Sequence, residues 1–172
     1  NPVKGITFSQ IDAVFSETHN GGMRDRISFW GELGLGGKWA DQPVRCYGRN
    51  RASGTYEYLR KHALFDGRYH ANVQQLPGSS ALVAAVARDP AGIGFSGIGY
   101  RLPGVRAVPV ARNAGDPYVP PEAQEGRSGR YPLARPLYLL AIPNPDGTFA
   151  APLKELFRLV LSRTGQRVVR DQ

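Results

Sequence analysis

Arg49, Ser53, Gly54 and Thr55 fall in the spacing Arg-x-x-x-Ser-Gly-Thr, and those residue types suit one task, gripping a small, multiply charged oxyanion. A guanidinium can fork onto two oxygens of one anion. Two hydroxyls can donate hydrogen bonds, and a glycine lets the backbone come close. Ahead of the run, Val44 to Tyr47 reads as a short strand; behind it, Tyr56, Leu59, Ala63 and Leu64 recur at helical spacing. The run therefore sits at a helix N-terminus, where orphan N–H groups and the positive end of the dipole favour negative charge. The plainer explanation is a strand-to-helix turn capped by Ser53. A cation, two hydroxyls and a row of amides converging on one place favour the anion.

The elements that must hold this turn follow from periodicity. Thr7-Phe8-Ser9-Gln10 has capping-box spacing, and Ile11, Val14 and Phe15 share one helical face, so a helix spans roughly residues 8–16. Residues 18–42 are glycine-rich and irregular, with Trp30 and Trp39 as anchors. Pro77-Gly78-Ser79-Ser80 starts a second helix through Ala81 to Ala87, which Asp89-Pro90 stops. Ile93 to Phe95 and Val105 to Val110 read as buried strands, and residues 113–131 as an exposed loop. Leu137 to Ile142 is a third strand candidate, followed by the turn Asn144-Pro145-Asp146-Gly147. Leu153, Leu156, Phe157, Val160 and Leu161 make an amphipathic stripe that Gly165 ends. Strands alternating with helices imply a layered α/β fold.

Other motifs carry less. Gly92-Ile93-Gly94-Phe95-Ser96-Gly97 matches a dinucleotide fingerprint in letters, but it contains its strand rather than following one, and no helix opens after it. Close backbone packing explains those glycines better. Gly34 to Lys38 lacks phosphate-loop spacing, and Trp39 stands where a hydroxyl is needed. His19, His62 and His70 show no metal-ligand spacing, and Ser96 lacks the surroundings of a nucleophile elbow. No metal site, cofactor motif or catalytic residue emerges, so the reading is a binding protein and not an enzyme.

At 172 residues the chain can bury a sizeable core, and no apolar run is long enough for a membrane span. A net charge of +8 could suit nucleic acid, but the arginines are scattered, without a dense run or interleaved stacking aromatics. The single cysteine, Cys46, precludes an internal disulfide and reads as a small core residue. Asn1-Pro2-Val3 opens without a signal-peptide pattern.

Arg49-x-x-x-Ser53-Gly54-Thr55 resembles the second-lobe signature of the periplasmic phosphate-binding proteins of ABC transporters. The likeness extends to Asn1-Pro2 through Phe15-Ser16, Pro77 to Ser80, Ile93 to Tyr100, Tyr131-Pro132-Leu133 and Gly165 to Val169, in the family's order. It implies a type II periplasmic-binding-protein-like fold, a three-layer α/β/α lobe with a mixed sheet. Residues 1–133 would form the second lobe, and 134–172 a return strand and helix of the first, whose remainder is expected to be absent. It further implies that Arg49, Ser53, Gly54 and Thr55 contact phosphate, that permease subunits are partners, and that the location is periplasmic or otherwise extracytoplasmic. The expected function is phosphate binding and delivery to an importer. The alternative is an oxyanion-sensing or surface-adhesion module on the same lobe. Self-association through 134–172 is a further expectation, because the stripe at Leu153 to Val160 lacks a lobe to cover it. Arg51 stands where some relatives carry an acidic residue, and is expected either to add charge at the site or to face solvent.

Overall fold

The computed structural model describes residues 1–136 and 138–170. The chain divides into two compact units, Asn1–Ala134 and the residues from Arg135 onward.

In the first unit, β1 (Ile6–Thr7) runs directly into α1 (Phe8–Phe15). The junction is the expected capping box: the Gln10 N–H donates to Thr7 Oγ1 at 3.2 Å, and the Thr7 N–H donates to Gln10 Oε1 at 2.9 Å. Then follow β2 (Arg45–Arg49), α2 (Gly54–His62), β3 (Gln74–Leu76), α3 (Ser79–Ala87), β4 (Gly92–Gly94), β5 (Val110–Ala111) and α4 (Ala123–Arg127). The principal sheet is parallel in the order β3-β2-β4, and β1 pairs in parallel with β5. Where a mixed sheet was expected, all strand pairs among the described residues are parallel, and antiparallel pairing is limited to isolated bridges at Ser16–Tyr69, Phe29–Pro43 and Val110–Val119.

Alternation along β2 sorts the layers. Cys46 faces a core with Phe15 of α1, Leu59 of α2 and Ile93, whereas Tyr47 packs with Leu82 and Val83 of α3. The sheet is thus sandwiched between α1 with α2 and α3, the three layers expected. Trp30 anchors the irregular segment with no exposed surface, donating from Nε1 to Ala91 O at 3.1 Å and meeting Trp39 edge-on. Glycine is required at position 94, where an added Cβ would lie 2.9 Å from Leu82 Cδ2 and 3.0 Å from Tyr47 O.

Several elements depart from expectation. The strand over 105–110 shrinks to Val110–Ala111, because its partner β1 is only two residues long before Thr7 turns to cap α1. The loop 113–131 contains the short α4. β3 escaped notice because Gln74 and Gln75 are polar, which an edge strand tolerates.

In the second unit, Leu137 lies outside the described residues and 138–142 form no strand. A strand needs a neighbour for its N–H and C=O groups, and none pairs with this segment among the described residues; Leu140 and Ile142 are exposed. The turn at Asn144 forms, closed by the Asn144 N–H donating to Thr148 O at 2.7 Å, with Gly147 at φ +78°. α5 (Ala151–Leu161) ends at Ser162, not at Gly165, which lies inside α6 (Arg163–Arg170). Ser162 is extended, and its Oγ accepts from the Gly165 N–H at 3.0 Å, so it closes one helix and caps the next.

Candidate oxyanion site at the carboxyl edge of the sheet

β2 ends at Arg49, and residues Asn50 to Ser53 turn the chain, with the Ser53 N–H donating to Asn50 O at 3.0 Å. Ser53 is buried and extended (φ −86°, ψ 124°), and its Oγ accepts from the Thr55 N–H at 3.2 Å. Ser53 is therefore the N-cap of α2, an arrangement that stabilises a helix by about 1 kcal/mol. Accepting that bond leaves its own O–H proton able to donate outward. Glu57, the acidic side chain in the first turn, is held by Arg60 Nε and Nη2 at 2.9 and 2.7 Å, which offsets its repulsion of an incoming anion. Arg60, Lys61 and His62 fill the last turn, where the dipole favours cations.

The neighbouring strand repeats the pattern. β3 pairs with β2 up to the rung Arg49–Leu76, then passes through Pro77 and Gly78 into α3. Gly78 is the N-cap and has no side chain to satisfy the first amides of that helix. Two helix N-termini thus leave the carboxyl ends of adjacent parallel strands. The chain passes from β2 to β3 on one side, then to β4 on the other, which makes this edge a topological switch point, the usual ligand crevice of open α/β sheets.

Arg49, the last residue of β2, reaches across to the start of α3. Its Nη1 donates to Ser79 Oγ at 2.6 Å and its Nη2 donates to Pro77 O at 3.1 Å, while its Nε is buried without a partner. These bonds fix the guanidinium plane yet leave N–H groups uncommitted, since arginine carries five. Arg49 is half-buried, Ser53 buried, Thr55 half-buried and Gly54 exposed. The side chain of Arg49 leans on the start of α3, and the Thr55 amide serves the Ser53 cap in place of an outside group. Arg51 is exposed, the solvent-facing option of the two. Ser79 is the residue that sequence reasoning missed here. Its signal was present in Pro77-Gly78-Ser79-Ser80, read only as a helix start.

Other chemistry finds less support. His70 is buried, with Nε2 bonding Val14 O at 3.0 Å and Nδ1 accepting from the Asn72 N–H at 3.1 Å, so both ring nitrogens are committed. Burial holds its pKa below the ordinary histidine value. Among the described residues no group of three or more histidine, cysteine or acidic side chains could hold a metal ion. A cleft of about 570 Å³ opens beside Arg51, Glu57, Arg60, Arg68 and Tyr69. Arg60 is paired there with Glu57 and Asp66, and Arg68 with Glu17, so its charge is largely balanced. No helix among the described residues is long and apolar enough to cross a membrane.

The chain is 42% identical to the phosphate-binding protein PstS of Pseudomonas aeruginosa over 169 residues, 98% of its own length and 52% of that protein's. It is 28% identical to the protein SphX of Synechococcus elongatus over 143 residues, 81% of the chain and 40% of SphX. The chain thus spans about half the length of the curated relatives it matches. Among solved structures, it superposes on a Clostridium perfringens protein assigned as a phosphate ABC transporter substrate-binding protein and crystallised with phosphate. The TM-score is 0.76 at 25% identity, covering 99% of this chain and 62% of that one. An ABC-type phosphate transport receptor from Vibrio cholerae shares the fold at TM-score 0.69 and 19% identity, covering 99% and 63%. No protein-family model matches the chain. In sequence and in fold, the chain resembles the phosphate-binding components of ABC transporters.

Proposed function

We propose that this chain, similar along nearly its whole length to part of a phosphate-binding protein, supplies one jaw of a phosphate clamp. Arg49, Ser53, Gly54 and Thr55 are its contacts, and its role is to deliver phosphate to an ABC importer outside the cytoplasm, with permease subunits as partners. The observation that carries this is Arg49, pinned by Ser79 and Pro77 between two helix starts at the switch point of a parallel sheet. A pre-set guanidinium gives charge and a bidentate geometry. The Ser53 and Thr55 hydroxyls add donors. Each charge-assisted bond contributes about 1.5–3 kcal/mol, enough in combination to offset the desolvation of an anion.

One jaw grips less than two. Phosphate therefore binds this polypeptide weakly, and sulfate competes, because a cation with hydroxyl donors reads charge and shape but not the phosphate proton. Calorimetric titration of the 172-residue chain checks this, with Arg49→Ala expected to abolish the heat of binding. Sub-micromolar binding that resists sulfate would overturn the one-jaw reading, and undiminished binding by Arg49→Ala would overturn the site.

A further inference from the structure

Ser96 was set aside in the sequence because it lacks the setting of a nucleophile. Its place two residues past β4 brings it to the carboxyl edge of the sheet. Gly94 pairs with Tyr47 across β4 and β2, and an added Cβ at Gly94 would meet Leu82 and Val86 of α3. The next residue, Phe95, turns to the opposite face and packs on Phe15 and Tyr69 with ring centroids 5.6 and 5.7 Å away. Carried past the end of β4 at Gly94, the same alternation returns Ser96 to the α3 face. Continuing the Tyr47–Gly94 register by two residues sets Ser96 opposite Arg49, which already touches the first residue of α3.

Both residues carry an unmet need. Ser96 Oγ and Arg49 Nε are buried polar atoms without hydrogen-bond partners, Arg49 at the end of β2 and Ser96 two residues past the end of the adjacent β4. Buried polar groups are nearly always satisfied, so a pair of orphans on one face of one sheet edge calls for a shared partner. Arg49 Nε–H and the Ser96 O–H are both donors, and a tetrahedral oxyanion offers acceptors to both at once.

We propose that Ser96 is a further anion-binding residue, donating from its hydroxyl to the same phosphate that Arg49 holds. This rests on the reading of Arg49 as a phosphate contact. Ser96 brings a donor from the segment that follows β4, the strand on the other side of β2 from β3.

The test is a titration of the 172-residue chain with inorganic phosphate, followed by amide chemical shifts, for wild type, Ser96→Ala and Arg49→Ala, with thermal unfolding of each in phosphate-free buffer. Ser96→Ala is expected to raise Kd about tenfold, equivalent to about 1.4 kcal/mol. Its unfolding temperature without phosphate should be unchanged or higher, since the variant removes an unpaired buried hydroxyl. A serine with a merely structural role would show the reverse, a lower unfolding temperature and an unchanged Kd, and that result overturns the proposal. If Arg49→Ala loses binding while Ser96→Ala keeps it, the proposal alone fails. If the wild type does not bind, or Arg49→Ala binds as wild type does, the site reading fails and takes this proposal with it.

Discussion

Replacing Gly94 by alanine should loosen the sheet edge that positions the anion site. The new Cβ would lie 2.9 Å from Leu82 Cδ2, 3.0 Å from Tyr47 O and 3.1 Å from Val86 Cγ2. Carbon atoms pack comfortably at about 3.5–4.0 Å, so all three neighbours are crowded. Tyr47 O is sheet backbone and cannot give way cheaply, and Leu82 is fully buried. The substitution therefore pushes α3 away from β4, and overpacking of that kind costs about 1–3 kcal/mol. For a chain of this size the melting temperature should fall by about 2–12 °C. Gly97→Ala is the internal control. Its Cβ would meet only Tyr100, at 3.5 Å, and φ −66° suits any residue. That variant should be neutral or gain about 0.4–1 kcal/mol from a stiffer unfolded chain. Urea unfolding followed by tryptophan fluorescence reads both, since Trp30 is buried and Trp39 packs on it. Displacing α3 also moves Ser79 from Arg49, so Gly94→Ala should weaken phosphate binding as well. A Gly94→Ala midpoint equal to or above wild type, or a larger loss at Gly97, would refute this account of the packing.

Two aspartates should give stability pH dependences of opposite sign. Asp89 accepts from Arg45, the Tyr47 O–H and the Ala91 N–H, chiefly Arg45, and its pKa lies below 3.8; its contribution is present above pH 3.8 and fades as pH falls through the lower folded value, so Asp89→Asn should cost stability at neutral pH. Asp12 is fully buried with Oδ1 unpartnered, and burial raises its pKa above 3.8; its contribution is greatest below pH 3.8 and fades as pH rises through the folded value, so Asp12→Asn should flatten that fall in unfolding experiments across pH. Cys46 is buried against Val14 O, its thiol pushed up to about 12, so a disulfide reagent should leave it untouched in the native state and label it fully in denaturant; fast native labelling would contradict the packing.

The parts of the fold set by local chemistry were legible from residue order. The Thr7–Gln10 box, the Ser53 cap and the short strand through Cys46 and Tyr47 involve near neighbours, so spacing alone carries them. Elements whose state depends on distant partners were not. The apolar run at 138–142 has a strand's composition, but pairing requires an edge that nothing among the described residues provides. At Gly165 the familiar stop residue lost to Ser162, whose hydroxyl starts a new helix instead. For the site, Arg49 and Ser53 stood out because type and spacing coincide. Ser79 and Ser96 did not: the Arg49–Ser79 bond spans 30 residues, and Ser96 comes opposite Arg49 only when the β2–β4 register is carried past its last pair, Tyr47–Gly94.

The central claim is that an oxyanion seats at the carboxyl edge of β2, between the starts of α2 and α3. Its most direct test is a residue-resolved map of phosphate binding to the 172-residue chain by nitrogen–proton correlation spectroscopy, including the arginine Nε–H signals. The largest shifts should fall on the amides of Arg49 to Tyr56 and Gly78 to Ala81, together with Arg49 Nε–H, saturating on one binding curve. Shifts confined to the cleft beside Arg60, Arg68 and Tyr69, or an unmoved Arg49 Nε–H at saturation, would contradict it.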